Sequence, residues 1–532
     1  MAAATAGAQT SKLPAELADR VDRLVASRGD QRVGICVRKL DGEVLYQRSS
    51  ADLYELASNT KLLTTSAALD TLGHNFGFVT RVYARGDVDY FGNLDGDLVL
   101  SGTGDASLTG KFRTGDIDGL VDEWVASIRE KGISSVMGNI VVARNDDFDP
   151  KSEPDNAMGG DFEGANEPDE DEEIEDLEVS TPTEALLIEI SPGKVGRRAT
   201  LGIRPAGSSL KVLNNCLTVP GSVRQIAVSR GRANVITVSG RIGASAGTVT
   251  EILAYGDPEL MAASLLRQNL PHSGVPVRGD IRVAMQPTSL ATDPGTILIA
   301  EARAELSDTL NVVNKRSHNQ SAEEILRVMG AQAGAASGRD LQTRGCSVVT
   351  DFLLRSGIPR GTFSVVDGSG LSHGNRMSPE SLSLLLTKMA STDSATVFKS
   401  SLAVPGEDGT LRARLPGIER YANVAAKTGH IGGVNTLSGY LDTRKGGYVF
   451  SVLTNGHHQA DNGLLDGIVT QIASALAVSD GSITAADAAP APSYAKVKAS
   501  SHKHRKSSHR SSSSKSPSKS SKKSKSSSKK HR

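Results

Sequence analysis

The sequence predicts a fold of the α+β or α/β class: an antiparallel sheet with flanking helices, interrupted by a long β-rich insertion. Three observations carry this. Helical periodicity appears in the first 75 residues and returns after about residue 288. Between them, from about Phe76 to Pro287, short strand-like runs separated by Gly, Asp and Asn dominate. Close to the C-terminus, "VAAKTGHIGG", "TLSGYLDT" and "GGYVFSVLTNG" follow one another with a turn at 444–447, as adjacent antiparallel strands do.

In chain order, residues 13–29 read as a helix, with Leu13, Leu17, Val21 and Leu24 three or four apart. "RVGICVRKL" and "EVLYQRS" are strands joined by Asp41-Gly42, a hairpin signal. In "YELASNTKLLTTSAALDTLG", Leu62, Leu63, Ala67, Ala68, Leu69 and Leu72 recur at helical spacing and the run ends near Gly73. The insertion offers "FVTRVYA", "GDLVLSG", "GNIVVAR", "SLKVLNN", "VRQIAVSR", "NVITVSGRI" and "IRVAM" as strands. In "NQSAEEILRVMG", Ser321 and Glu324 have capping-box spacing and Gly330 reads as the helix stop. A further helix is expected at "SPESLSLLLTKMAS".

The expected divisions are 13–75 and 288–480 as two parts of one domain, 76–287 as the inserted region, and 481–532 as a tail. Within the insertion, nine of the twelve residues Glu167 to Glu178 are acidic, so 155–180 reads as a solvated acidic loop. The formal net charge of zero conceals a separation. Lys496 to Arg532 hold 14 Lys/Arg and no acid, which leaves 46 basic against 60 acidic residues elsewhere, a net of −14. The Ala/Pro-rich and then Ser/Lys-rich tail cannot bury a core and reads as disordered. Residues 496–532 contain no aromatic residue to stack on bases, and their spaced charges suit polyanions held through counterion release.

No run of 18 apolar residues occurs, so no transmembrane segment is expected. The N-terminal residues lack a basic stretch followed by an apolar core, and no signal peptide is visible. Cys36, Cys216 and Cys346 show no metal or redox spacing, so no metal or cofactor is expected; Cys36 and Cys216 read as small strand residues.

Ser58 and Lys61 form a Ser-x-x-Lys pair at a helix start. Residues three apart share a helix face, so the lysine can lie against the hydroxyl. The pair alone decides nothing: Ser58 could equally be a helix N-cap, and the tail contains the same spacing at Ser512/Lys515 and elsewhere. Two further motifs follow, Ser317-His318-Asn319 and Lys427-Thr428-Gly429. Singly, Ser317 and Asn319 could be loop residues near a cap, Lys427 a solvated strand residue and Gly429 a bulge. In this order, and in these local settings, the three form the signature of penicillin-recognising serine enzymes.

The long interval between Ser58 and Ser317 exceeds what a compact β-lactamase allows. The chain resembles the class C, low-molecular-mass penicillin-binding proteins, the D-alanyl-D-alanine carboxypeptidase/endopeptidase family. The likeness spans roughly residues 30–475 and includes "GDLVLSGTGDASLT", "NKRSHNQSAEEILRVMG" and "VVDGSGLSHGNRMSP". It implies a penicillin-binding, serine β-lactamase-like domain acting on peptidoglycan stem peptides, with β-lactams as covalent inhibitors. It implies Ser58 as nucleophile, Lys61 as base, Ser317 and Lys427 as a proton relay and Asn319 as a substrate or Lys61 anchor. Thr428, Gly429 and His430 would bind substrate, Thr428 at the terminal carboxylate and the N–H of His430 with that of Ser58 at the oxyanion. It also implies a periplasmic, extracellular or cell-envelope setting. His318 has no proton role in the family and reads as structural. Asp367 and Ser369 in "DGSGLS" are expected to shape a turn near the site, with Gly368 and Gly370 supplying unusual φ.

Three features depart from the family pattern: His430 stands where a small hydroxyl residue is usual, and the acidic loop and basic tail are extra. The His430 imidazole would either crowd the carboxylate pocket or, if protonated, add charge to it. The tail would tether the chain to an anionic envelope polymer. Two other functions remain open: a penicillin-hydrolysing enzyme, and an idle wall- or polyanion-binding protein with the same fold.

Overall fold

In a computed structural model, the structure describes residues 10–11, 13, 15–27, 32–102, 108, 117–144, 185–204, 211–231, 235–254, 258–285, 290–333, 341–456 and 462–488. The acidic loop at 155–180 and the basic tail lie outside them.

One six-stranded antiparallel sheet organises the first and last parts of the chain. Its order is Thr10–Ser11, Val44–Arg48, Arg32–Lys39, Gly447–Asn455, Val434–Asp442 and Asn423–Ile431. The central strands are apolar on both faces because helices cover both. Phe450 and Val452 pack with Val21 and Ile468 of helices Ala15–Ala26 and Asn462–Ser479. Val449 and Leu453 face the other way, toward Leu63 of helix Thr60–Thr71 and Leu382 of helix Pro379–Met389. The expected Asp41-Gly42 turn closes the hairpin between Arg32–Lys39 and Val44–Arg48, with Gly42 at φ +95°.

The inserted part has its own core around Trp124, which is 1% exposed. All seven strand-like runs form strands, four in a sheet with a five-strand path and three in a three-stranded sheet; a second three-stranded sheet, of Thr200–Arg204, Ala185–Ser191 and Val249–Ala254, was not expected from the sequence. Two helices also stand there, Ile117–Glu130 and Pro258–His272. In the first, Ile117, Leu120, Val121, Trp124, Val125 and Ile128 form a buried stripe at helical spacing. Strand Gly77–Val88 pairs with Asn93–Gly102 on one side and Thr296–Glu305 on the other. The sheet of the insertion therefore continues past residue 287, where the sequence texture changes, and Gly77 lies opposite Glu305 in register.

Two local expectations around Asn319 are corrected. The helix runs Asn319–Gln332 and its N-cap is His318, not Ser321. Ser317 adopts φ +58°, which turns the chain early, and the His318 ring Nδ1 accepts the Ser321 N–H. Asn319 thereby becomes the first helical residue. Gly330 does not stop the helix. It lies where the helix meets Leu341–Arg355: a Cβ there would stand 2.1 Å from the Leu341 carbonyl oxygen and 2.9 Å from the Gly345 nitrogen.

This contact generates a prediction. Gly330→Val must force the two helices apart, and overpacking of this kind costs about 1–3 kcal/mol. The urea midpoint should fall accordingly; an unchanged midpoint would show that the helices separate freely.

Candidate active site

The nucleophile candidate sits on a short 3₁₀ turn, Ala57–Asn59, that leads into helix Thr60–Thr71. Ala57 has φ +45°, a conformation rare outside glycine. The turn is fixed from several sides. The Leu56 N–H donates to the Asn375 carbonyl, Thr436 Oγ1 donates to the Leu56 carbonyl, and Asn59 Nδ2 donates to the Lys427 carbonyl. Ser58 itself is half-buried and reachable.

Lys61 follows one helical turn later and is completely buried. Its Nζ lies 2.9 Å from Ser58 Oγ, 2.6 Å from Asn319 Oδ1 and 2.6 Å from the Ser369 carbonyl oxygen. Loss of hydration holds its pKa at about 7, far below the ordinary lysine value, although Glu323 and Asp367 favour the charged form. The hydrogen-bond inventory then assigns the proton. A neutral amine has two N–H donors and one lone pair. Asn319 Oδ1 and the Ser369 carbonyl can only accept, so they take both donors. The lone pair is left for the Ser58 hydroxyl. The arrangement can remove a proton from Ser58.

Lys427 is also completely buried, in the edge strand Asn423–Ile431. Its Nζ lies 2.9 Å from Ser317 Oγ and 2.9 Å from the Thr428 carbonyl oxygen. Burial first, and the Lys61 charge second, hold its ammonium well below the ordinary lysine range. Lys427 is therefore not the solvated strand residue that an isolated motif would permit.

The same strand presses its backbone against Ser58. A Cβ on Gly429 would stand 2.9 Å from the Ser58 nitrogen and 3.0 Å from the Leu56 carbonyl oxygen, so only glycine permits this approach. Ala426 exchanges both backbone hydrogen bonds with Ala403 on the open side of the strand. Alternate residues point the same way, so the N–H of His430 faces that side as well. The Thr428 hydroxyl pairs with that of Thr410 at 2.7 Å. The His430 ring is exposed and bonds to Asn435 Oδ1 at 2.8 Å, across the hairpin.

The structure thus joins Ser58, Lys61 and Asn319 in one hydrogen-bonded group and Ser317 with Lys427 in another. It sets Thr428 and Gly429 on the strand between them. The His430 imidazole turns to its own hairpin. Among the described residues no cluster of three or more His, Cys, Asp or Glu could hold a metal ion. No disulfide joins the cysteines among the described residues, and Cys36 and Cys216 are buried in strands.

Residues 17–476 match the D-Ala-D-Ala carboxypeptidase 3 (S13) family, a span that contains every residue of this site. The chain belongs to that family. A D-alanyl-D-alanine carboxypeptidase from Actinomadura sp. (strain R39) is 30% identical over 464 residues, covering 83% of this chain and 81% of the relative. The D-alanyl-D-alanine carboxypeptidase DacB of Haemophilus influenzae is 24% identical over 440 residues, 81% of this chain and 86% of the relative. The solved structure of penicillin binding protein 4 from Haemophilus influenzae has the same fold. It superposes with a TM-score of 0.62 at 22% identity, covering 84% of this chain and 97% of that one. The penicillin-binding fold expected from the motifs is therefore present.

Within this S13 chain, three contacts escape motif reading. Ser369 acts through its carbonyl, Thr410 through a hydroxyl far from any motif, and Glu323 through backbone N–H groups. The "DGSGLS" turn does border the site, but only Gly370 has the expected positive φ, at +92°. A Cβ on Gly370 would stand 1.9 Å from the Ala57 carbonyl oxygen and 3.0 Å from the Ser58 nitrogen. Gly370→Ala must therefore displace the turn that carries Ser58. Misplacement near 1 Å costs about 10²-fold in rate. Labelling by a fluorescent penicillin should slow by that order while the circular dichroism spectrum is retained; labelling at the wild-type rate would refute the contact.

Proposed function

We propose that the protein is a serine-type D-alanyl-D-alanine carboxypeptidase/endopeptidase that cleaves peptidoglycan stem peptides through an acyl-enzyme on Ser58. Membership of the S13 family supports the activity. The observation that carries the residue roles is the buried Lys61 amine, whose lone pair is left for Ser58 Oγ by its two acceptor partners.

Acylation begins when Ser58 Oγ attacks the carbonyl carbon between the two terminal D-alanines and its proton passes to Lys61 Nζ. The oxyanion forms between the N–H groups of Ser58 and His430. Such a donor lowers the barrier by about 2.7–4 kcal/mol. As the intermediate collapses, the C–N bond breaks and the departing nitrogen takes a proton from Ser317 Oγ. Lys427 Nζ then resupplies that hydroxyl. The released amine is free D-alanine in the carboxypeptidase reaction and a neighbouring stem in the endopeptidase reaction. Water next attacks the Ser58 ester and gives its proton through Ser317 to the now neutral Lys427; as the ester bond breaks, Lys61 returns its proton to Ser58 Oγ and the shortened stem leaves. Asn319 anchors Lys61, and Thr428 with Thr410 offers hydroxyls to the substrate carboxylate. A β-lactam follows the same first steps and remains on Ser58 as an ester. No group in the chemistry calls for a metal or cofactor.

Cell-envelope localisation fits this substrate. No helix among the described residues is long and apolar enough to cross a membrane. We propose that the 14 Lys/Arg of the tail hold the enzyme to an anionic envelope polymer instead.

A fluorescent penicillin should label wild type on Ser58, as read by peptide mapping, and Ser58→Ala should abolish the label. Lys61 must be neutral to accept the proton. Its neutral fraction rises with pH and reaches half at about pH 7. The acylation rate should therefore climb through pH 7 and level off above it. Label on another residue would refute the assignment of Ser58, and a flat profile from pH 5 to 9 would remove Lys61 as the base. For the tail, deletion of residues 490–532 should leave acylation of a small soluble substrate unchanged and weaken co-sedimentation with cell envelopes at low salt. Equal sedimentation of the truncated chain would exclude the tether.

A further inference from the structure

Helix Asn319–Gln332 reaches Lys61 twice. It does so directly through Asn319 Oδ1, at 2.6 Å. One turn further on, Glu323 is buried and points at the "DGSGLS" turn. Glu323 Oε1 accepts the Ser369 N–H at 2.8 Å and the Gly368 N–H at 3.1 Å, and Oε2 lies 3.2 Å from the same Gly368 nitrogen. The Ser369 carbonyl, at the other end of that residue, takes a hydrogen bond from Lys61 Nζ at 2.6 Å.

The rest of the turn is held as firmly. Thr64 Oγ1 donates to the Gly368 carbonyl at 2.7 Å. Asp367 Oδ1 accepts the N–H groups of Ser369 and Gly370, and its Oδ2 that of Ser372. A Cβ on Gly368 would lie 2.8 Å from the Ala322 carbonyl oxygen, so the turn rests directly on the helix. The hydrogen bonds of Glu323 thus go to this turn, beside the carbonyl that takes a donor from Lys61.

We propose that Glu323 is a positioning residue for acylation: its carboxylate, through the Ser369 and Gly368 N–H groups, fixes the Ser369 carbonyl on Lys61 Nζ and faces that amine electrostatically. This rests on Lys61 being the base for Ser58. If the Ser369 carbonyl moved away, one amine N–H would lose its acceptor and the lone pair would no longer be confined to Ser58. The carboxylate also acts through space. The charged groups facing Lys61 are Glu323 from this helix, Asp367 from the turn and Lys427 from the strand. Burial, and then the neighbouring Asp367, make the Glu323 charge harder to keep; hydrogen bonding from Ser369 and from the Gly368 N–H opposes this. Removal of that charge leaves Lys61 with less to favour its ammonium form, so its pKa must fall.

Two variants of the full chain test the idea, with acylation by a fluorescent penicillin followed from pH 5 to 9. Glu323→Gln keeps an acceptor for the N–H groups and loses the charge. Its acidic limb should move to lower pH by about half to one unit, with a plateau within about tenfold of wild type. Glu323→Ala removes the acceptor too. Its plateau acylation rate should fall about 10- to 100-fold, with the non-covalent binding step little changed. A merely structural role would lower the amount of folded protein without moving the limb. A limb for Glu323→Gln that stays in place or moves to higher pH overturns the proposal, and so does a folded Glu323→Ala enzyme with the wild-type rate. If Glu323→Ala does not fold, the Gln variant decides alone. Failure of wild type to label Ser58 would instead refute the functional reading itself.

Discussion

The Lys61 ammonium has been removed from water entirely, and the surroundings of Ser58 are arranged around that fact. A buried cation without partners is strongly unfavourable, so the group gives up its proton affinity instead. The neutral amine still needs acceptors for its two N–H groups. One comes from a side chain on helix Asn319–Gln332 and the other from a backbone carbonyl in the Asp367–Ser372 turn. Helix, turn and 3₁₀ nucleophile loop must hold their places together for the lone pair to face Ser58. Lys427 repeats the arrangement on the opposite wall, where its neighbour is Ser317. Two buried lysines close together also weaken each other's charge.

Local backbone strain accompanies this arrangement. Ala57 and Ser317 both lie in the left-handed region without being glycine, and both adjoin or belong to a motif. Such conformations cost about 1–3 kcal/mol each and persist where surrounding contacts over-determine them. At Ala57 those contacts are the Leu56 and Asn59 hydrogen bonds and the close backbone of Gly370 and Gly429. At Ser317 the turn is what lets His318 cap the helix and Asn319 enter the site.

These two residues also mark where the sequence stops being readable. The strands of the main sheet were legible because alternation and the Asp-Gly turn are local signals. The grouping of Ser58, Lys61, Ser317, Asn319, Lys427 and Thr428 was legible because three short motifs stand in a recognisable order. The Ser369 carbonyl was not, since any residue supplies a carbonyl and only the fold aims it. Glu323 reads as an ordinary helical glutamate; its burial and its aim at the turn come from tertiary packing. The Ser321 cap was a reasonable local reading that the positive φ at Ser317 overrides. Helix Ile117–Glu130 could have been found from its apolar stripe, which the surrounding strand signals obscured. Strand Thr296–Glu305 is fixed by pairing with residues more than two hundred positions earlier, and no local pattern announces that.

That pairing bears on how the chain reaches its native state. The insertion leaves the main domain at Gly77 and returns at Glu305, and these residues are cross-strand partners. The Leu306 N–H donates to the Phe76 carbonyl at 2.9 Å just beyond them. As an unfolded loop, the roughly 230 residues between would oppose closure of the main domain by roughly 5 kcal/mol of chain entropy. Once the sheet of the insertion forms, its two ends are already side by side and most of that penalty disappears. Folding should therefore run from the inside of the sequence outward, with the Trp124 core acquiring hydrogen-exchange protection before the strand that carries Lys427. Simultaneous protection of both would show that the two cores condense together.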